Sequence, residues 1–153
     1  MSETKKELKV PAIKEGTVID HIPSRMTFKV IRILDLKEFK YPISVALNLK
    51  SKMMGNKGII KVGSRFLTED EVNKIAILAP NATVNIIKNY EVKEKINVKL
   101  PDEINNIIKC SNPDCITNNE QVKTHFQVIN KSPLKVICRH CERVMEESDI
   151  TLI

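Results

Sequence analysis

The chain has 153 residues, of which 42% are hydrophobic, and a formal net charge of +6. It contains no Trp, four Phe and two Tyr, so a core must be built mainly from Ile, Val and Leu, and platforms for stacking bases are scarce. Residues 1–9 are polar and no apolar run is long enough to span a bilayer, which argues against a signal peptide and a membrane span. We therefore expect a cytoplasmic protein.

The positive charge is concentrated in one part of the chain. Residues 1–100 carry 19 Lys and Arg against 11 Asp and Glu, a net charge of +8, whereas residues 101–153 carry 6 against 8, a net charge of −2. The length allows one ordinary domain or two small ones, and Leu100-Pro101 is a plausible boundary. We predict two domains, 1–100 and 101–153, with the cationic surface in the first.

Strand and helix patterns alternate in the first part, after a charged arm at residues 1–9. Val10–Asp20 is predicted as a strand that breaks at residues 21–24. Apolar residues at helical spacing follow, with Ser24 as the candidate N-cap. The next predicted elements are a strand at Tyr41–Leu49, a loop at Lys50–Gly58 and a strand at Ile59–Val62.

A second helix is predicted to begin at Thr68-Glu69-Asp70-Glu71, a capping box, and to end before Pro80. Two more strands, Thr83–Lys88 and Tyr90–Leu100, are predicted on either side of a turn at Asn89. The order strand, helix, strand, strand, helix, strand is that of the ferredoxin-like arrangement, with one extra strand. The predicted class is α+β: a ferredoxin-like α/β sandwich with an antiparallel sheet and two helices.

All four cysteines lie in the second part, where Asp102–Ile108 is a short amphipathic segment. Four residues separate Cys110 from Cys115, two separate Cys138 from Cys141, and 22 lie between the pairs. Such thiolate pairs place four sulfurs around one ion, and zinc accepts the tetrahedral arrangement. We predict one structural Zn²⁺ in a small zinc-ribbon, rubredoxin-like β domain. Its predicted strands are Val122–Ile129 and Leu134–Ile137.

The sequence also allows alternatives to a structural zinc site. Four cysteines close the coordination shell, which disfavours a hydrolytic zinc, and His140 is expected at the surface rather than on the metal. An iron site of rubredoxin type is disfavoured by the wider first loop. A ribbon that binds nucleic acid is the rival function, and the net negative charge of residues 101–153 argues against it. A metal-stiffened adaptor that binds no nucleotide is a third candidate.

Four motifs in one order resemble the regulatory chain of aspartate carbamoyltransferase, over a stretch from about Val10 to Cys141. The resemblance implies a non-catalytic allosteric subunit in pyrimidine biosynthesis, which binds CTP or ATP, with UTP as a further candidate. It also implies a homodimer and a zinc domain that contacts catalytic chains, and no nucleic-acid or membrane partner. The motifs are Gly16-Thr17-Val18-Ile19-Asp20-His21-Ile22-Pro23, Ala79-Pro80-Asn81-Ala82-Thr83-Val84-Asn85, Asn89-Tyr90-Glu91-Val92 and the cysteine pattern.

The resemblance also implies a nucleotide-binding site in the first domain. Asp20 would contact the ribose, and Lys61 would lie near the base and the ribose. Lys95 would meet the phosphates, with His21 and Lys57 close by. The base would be held near Ala12, Ile13, Asn85, Ile87, Tyr90 and Val92.

Plainer interpretations of the same residues stay open at this point. Asp20 and His21 can cap a turn, Tyr90 can belong to the core, and isolated lysines are most often solvated charges. Two positions also depart from the family pattern. Pro11 lacks a backbone donor and Glu15 adds a negative charge near the predicted pocket, and both bear on the rank order of effectors.

Overall fold

The computed structural model describes residues 12–153, apart from the side chain of Lys37. The predicted arm at residues 1–9, the start of the strand predicted from Val10, and Pro11 lie outside the described residues. The chain divides after Lys99 into two compact units. Within residues 12–153, no helix has both the length and the apolar character needed to cross a membrane.

The first unit has, among its described residues, five strands and two α-helices. The strands form one antiparallel sheet in the order β2-β3-β1-β4-β5. The order of the first four is that of the ferredoxin-like fold, and the last strand extends the sheet, so the predicted α+β class is confirmed. The elements are β1 (Gly16–Pro23), α1 (Thr27–Ile33), β2 (Ile43–Ser51), β3 (Gly55–Gly63), α2 (Glu69–Leu78), β4 (Thr83–Lys88) and β5 (Glu91–Asn97).

The two helices cover one face of this sheet. Ile19 of β1 is aligned with Ile60 of β3 and Val84 of β4, and all three side chains are fully buried. Val30 of α1 and Ile75 of α2 are fully buried as well. Because successive side chains of a strand point to opposite faces, the neighbours of these strand residues project to the second face, which we call the open face.

β1 does not break at His21, as the sequence pattern predicted, but continues to Pro23 through a β-bulge. The β1–β3 register shifts between Ile19 and Ile22, so Asp20 and His21 together oppose one residue of β3. His21 has a φ of 60°, in the left-handed region. The residues that were predicted to end the strand therefore form an irregular step inside it.

Other boundaries differ from the prediction as well, and two of these differences have a clear cause. Ser24 does not cap α1, because residues 24–26 form a 3₁₀ turn and the Ser24 hydroxyl accepts the backbone N–H of Asn48 at 3.0 Å instead. β3 begins at Gly55, inside the predicted loop, and only residues 52–54 form the turn. The lysine-rich composition suggested a loop, but Lys50 and Lys52 are exposed on the hairpin and do not prevent pairing.

α2 begins at the predicted capping box. The Thr68 hydroxyl accepts the backbone N–H of Glu71 at 3.3 Å, and the Glu71 carboxylate accepts the backbone N–H of Thr68 at 3.0 Å. The apolar stripe that follows includes Val72 and Ile75, both buried. The helix ends at Leu78, two residues before Pro80.

The second unit is a small β structure built around the cysteines. A sheet of four strands has the order β10-β9-β8-β6, and β7 pairs with β11. Phe126, Val136 and Met145 form its fully buried centre. The elements are β6 (Glu103–Asn105), β7 (Ile108–Lys109), α3 (Ile116–Asn119), β8 (His125–Lys131), β9 (Leu134–Cys138), β10 (Val144–Glu146) and β11 (Thr151–Leu152).

The capping box yields a stability prediction. Thr68→Ala should lower the free energy of unfolding of the first unit by about 1 kcal/mol, because a backbone N–H in the first turn of α2 loses its acceptor. Thr68→Ser keeps the hydroxyl and should stay close to the original value. Urea unfolding of the metal-loaded full chain measures both, and equal midpoints for the Ala and Ser variants would show that water replaces the cap.

Candidate functional site

The four cysteines come together in the second unit. Cys110 follows β7, Cys115 precedes α3, Cys138 ends β9 and Cys141 lies in the next turn. Their sulfur atoms all lie within 4.8 Å of one another. The Sγ atoms of Cys110 and Cys141 are 3.6 Å apart, and those of Cys115 and Cys138 are 3.8 Å apart.

These separations suit a tetrahedral metal ion. Four sulfurs bonded to zinc at about 2.3 Å form a tetrahedron with edges of about 3.8 Å. A disulfide would instead bring two sulfurs to about 2.05 Å. The first three cysteines are buried and Cys141 is partly exposed, so the donor set forms a nearly closed cage. The structure thus brings together all four predicted ligands.

Asparagine side chains hold the loop between the first two cysteines. The amide of Asn118 donates to the carbonyl oxygens of Cys110 and Asn112 at 2.9 and 2.7 Å. The amide of Asn119 donates to the carbonyl oxygens of Cys115 and Pro113 at 2.9 and 3.0 Å. The wider first loop is therefore tied to α3, a role that the sequence analysis did not identify.

The sulfur atoms differ in their electrostatic surroundings. Burial raises the pKa of the Cys110 thiol to about 12 and also raises the pKa of Cys138. Burial also acts to raise the pKa of Cys141, but hydrogen bonds from Asn112 and from the Arg143 backbone outweigh it and bring the value to about 7. A divalent cation bound among the sulfurs would favour the thiolate form of all of them.

Two polar residues near the cage have distinct positions. The Thr117 hydroxyl donates to the Cys115 sulfur at 3.2 Å, a contact that supports a ligand. His140 is exposed, and its Nε2 lies 3.2 Å from the Lys123 carbonyl oxygen. The imidazole is not part of the sulfur cluster, in agreement with its expected surface position.

Three of the predicted nucleotide contacts lie in one row across the open face of the first unit. Lys61 of β3 is aligned with Val18 of β1, which is aligned with Asn85 of β4, which is aligned with Lys95 of β5. Residues aligned across neighbouring strands project to the same face. Lys61, Asn85 and Lys95 therefore share one surface.

A second group of polar residues surrounds the β1 bulge. The Asp20 Oδ1 accepts the Lys57 ammonium at 2.9 Å and the backbone N–H of His21 at 2.6 Å. The His21 Nδ1 lies 3.2 Å from the Thr83 hydroxyl, and Thr83 is aligned with Asp20. Thr83 was not among the predicted contacts, although it lies two residues before Asn85 and strand alternation places both on one face.

The open face carries more positive than negative charge around these residues. Burial lowers the pKa of Lys61, and the nearby Asp20 carboxylate acts in the opposite direction. Lys57 and Lys95 add two further ammonium groups to the same face. An anionic ligand there would favour the protonated form of Lys61.

The residues predicted around the base lie toward the other end of β1. Ile87 is aligned with Val92, which is 59% exposed. Tyr90 is 66% exposed, so it does not belong to the core, and its backbone N–H donates to the Lys14 carbonyl oxygen at 3.0 Å. This bond links the segment that contains Ala12 and Ile13 to the β4–β5 turn. The Tyr90 N–H is thereby occupied, while the ring is exposed to solvent.

Fold and sites together define a class of protein. It joins a ferredoxin-like domain, whose open face is cationic, to a small metal-binding domain with four clustered cysteines. The family model of the aspartate carbamoyltransferase regulatory chain, allosteric domain, matches residues 8–99. The model of the metal binding domain of the same regulatory chain matches residues 102–151. The chain belongs to the family of aspartate carbamoyltransferase regulatory chains.

Relatives from distant organisms support this membership. The regulatory chain of Thermococcus sibiricus is 62% identical over 143 residues, which cover 94% of this chain and 95% of the relative. That of Pyrococcus horikoshii is 59% identical over 146 residues, covering 94% and 96%. That of Bacteroides thetaiotaomicron is 47% identical over 153 residues and covers both chains completely. The similarity therefore spans both units.

Removing the metal should unfold the second unit and leave the first folded. A unit this small has little core, and metal binding supplies much of its folding free energy. Treatment of the full chain with a mercurial, or Cys138→Ser, should collapse the chemical-shift dispersion of the methyl groups around Phe126 and Met145 in NMR spectra. The methyl signals of Ile19 and Ile60, in the first unit, should stay dispersed. Thr117→Val keeps all four ligands and should stay folded, with metal affinity about tenfold lower. Retention of the dispersed signals without metal would contradict the prediction.

Proposed function

We propose that this chain confers nucleotide control on the catalytic chains of aspartate carbamoyltransferase, in the cytoplasm, and catalyses no reaction itself. Membership of a family of regulatory chains, with an allosteric and a metal binding domain, supports this function. The observation that carries the proposal is the open face, which presents one carboxylate on β1 and three lysines on β3 and β5. We assign nucleotide binding to residues 1–100 and contact with catalytic chains to residues 101–153.

The open face has the length and chemistry for a nucleoside triphosphate. Ile87 is aligned with Gly16 of β1, and Asp20 lies four residues further along the same strand. The two ends of the proposed site are therefore about 13 Å apart along β1. The base would lie toward Ile87, with Ala12, Ile13, Asn85, Tyr90 and Val92 around it. Asp20 and Lys61 would contact the ribose, and Lys95, His21 and Lys57 the phosphates.

CTP and ATP are the proposed effectors, with UTP as a further candidate. Each carries a polyanionic tail that lysines bind through charge-assisted hydrogen bonds. Each also carries a ribose whose hydroxyls can donate to a carboxylate such as Asp20. Contacts to the base that use backbone carbonyl groups, such as that of Tyr90, would allow different bases to be accommodated.

We infer that the metal is Zn²⁺ and that its role is structural. Four thiolates in a tetrahedral arrangement are a ligand set that zinc prefers, and they leave no open position for water or substrate. The ion would hold the loops on either side of it in one rigid conformation. Loss of the metal would then release the partner without removing the nucleotide site.

The rigid loops around the metal offer a surface for the catalytic chains. Ile116, directly after Cys115, is 46% exposed, and Val144, three residues after Cys141, is 48% exposed. Apolar side chains exposed on a stiff scaffold are typical of the centre of protein interfaces. Nucleotide binding in the first domain would then shift the population of two quaternary states, and the second domain would communicate this to the catalytic chains.

The two edges of the first sheet differ, which supports a homodimer through β2. The seven residues of β5 include four charged side chains, a pattern that discourages pairing with another strand. In β2, by contrast, Ile43–Leu49 contains no charge. Tyr41 and Val45 are 56% and 38% exposed. We propose that β2 is the edge that meets its copy.

Mixing the chain with catalytic trimers tests the function. The isolated chain should show no carbamoyltransferase activity, and the assembly should show an aspartate saturation curve that CTP or ATP shifts. Lys95→Met should form the same assembly but need about tenfold more nucleotide for the same shift, because a charge-assisted phosphate contact is lost. Turnover by the chain alone, or an unchanged curve in a verified assembly, would refute the proposal.

A charge placed on the β2 edge should prevent the homodimer. Val45→Lys puts an ammonium in the proposed interface and should shift the chain from dimer to monomer at micromolar concentration in sedimentation velocity. Val92→Lys, on the already charged β5 edge, is the matched control and should leave the dimer intact. A monomeric unmodified chain at high concentration would exclude the β2 interface.

A further inference from the structure

We propose that Lys57 occupies Asp20 in the free protein and that nucleotide phosphates draw it away, so that both ribose hydroxyls bind Asp20 only when phosphates are bound. We call this ion pair the latch. This inference rests on the proposed nucleotide site and adds to it a specificity-determining role for one ion pair. The pair lies within the part of the open face where ribose and phosphates would meet. Neither side chain is strongly exposed, at 19% for Lys57 and 20% for Asp20.

The latch follows from the number of hydrogen bonds that one carboxylate oxygen can accept. Each oxygen of an ionised carboxylate offers about two acceptor sites. Oδ1 of Asp20 already accepts the Lys57 ammonium at 2.9 Å and the His21 backbone N–H at 2.6 Å. Both sites of this oxygen are therefore filled, so a ligand can use only Oδ2 of this carboxylate.

A ribose presents two neighbouring hydroxyl donors. Two donors bind a carboxylate best when each oxygen accepts one of them, as in other bidentate contacts. With Oδ1 occupied, only one hydroxyl has an acceptor on Asp20. The second hydroxyl gains its acceptor when one of the two internal donors leaves.

Lys57 is the donor that can leave. The His21 N–H belongs to the backbone of the β-bulge and cannot turn away from Asp20 without moving the strand. The Lys57 ammonium ends a flexible chain of four methylenes near the start of β3 and can turn to another anion. A triphosphate beside it offers several oxygens and a higher charge than one carboxylate, so it would attract the ammonium away.

The consequence is a coupling between two parts of one ligand. Phosphates that take Lys57 strengthen ribose binding, and by linkage ribose strengthens phosphate binding. A nucleoside without phosphates must compete with Lys57 for Oδ1 and binds poorly. The ion pair thereby raises the preference for triphosphates beyond what the phosphate contacts alone provide.

Calorimetry tests the latch when the nucleoside and the phosphates are supplied as two separate molecules. The metal-loaded full chain is titrated with cytidine, and separately with adenosine, with and without saturating inorganic tripolyphosphate. In the unmodified chain, tripolyphosphate should raise nucleoside affinity about two- to fivefold, the range of a partly exposed ion pair. Lys57→Met should bind the nucleoside two- to fivefold more tightly without tripolyphosphate and should gain nothing from it.

Two controls separate the latch from general charge and folding effects. Lys29→Met removes the same charge from the exposed surface of α1 and should respond to tripolyphosphate like the unmodified chain. Lys57→Gln also removes the charge but introduces a polar side chain instead of an apolar one, and it should repeat the Lys57→Met result. Urea midpoints of the three variants verify that each of them is folded.

The outcomes that overturn the latch are distinct from failure of the proposed function. If Lys57→Met and Lys57→Gln bind nucleosides no more tightly than the unmodified chain, the ion pair does not restrain Asp20. The latch also fails if tripolyphosphate leaves nucleoside affinity unchanged or lowers it while CTP or ATP still binds. If the unmodified chain binds neither triphosphate nor nucleoside, the proposed nucleotide site is wrong and the latch falls with it.

Discussion

The β-bulge in β1 is the constraint on which the open face depends. Ile19 and Ile22 are both fully buried, yet they are three residues apart, and a regular strand would send them to opposite faces. The extra residue of the bulge shifts the alternation of side chains by one position, so the Ile22 side chain again projects into the core. Asp20 and His21 are thereby left together outside the core, where one accepts Lys57 and the other contacts Thr83.

Much of the fold was predictable because local patterns and the final structure agree. The capping box at Thr68 located α2, the alternation in Tyr41–Leu49 located β2, and the turn at Asn89 separated β4 from β5. The order of the elements indicated the ferredoxin-like class. The start of β3 at Gly55 was not predictable from composition, because pairing with β1 and β2 outweighs the loop-like character of the hairpin. The strands β10 and β11 are too short, at three and two residues, to show a period in the sequence.

The candidate sites were predictable where spacing alone carries the chemistry. The four cysteines are such a case, since thiolate pairs define a metal cage before any fold is known. The roles of Asn118 and Thr117 depend on the conformation of the loop that they support, and sequence spacing does not encode it. The Asp20–Lys57 ion pair likewise required the register of β1 against β3, although the odd separation of Ile19 and Ile22 was a visible sign of the bulge.

Core residues and residues of the open face alternate along the same strands of the first unit. Val84 is fully buried beneath the helices, whereas Asn85, its neighbour, is aligned with Lys95 on the other face. A substitution at Asn85 or Lys95 therefore changes the chemistry of the open face without changing the volume of the core. Under the proposed function, related chains could differ in the metabolite to which they respond while keeping one scaffold, and a designer who wishes to redirect that response could vary residues of the open face and leave the core untouched.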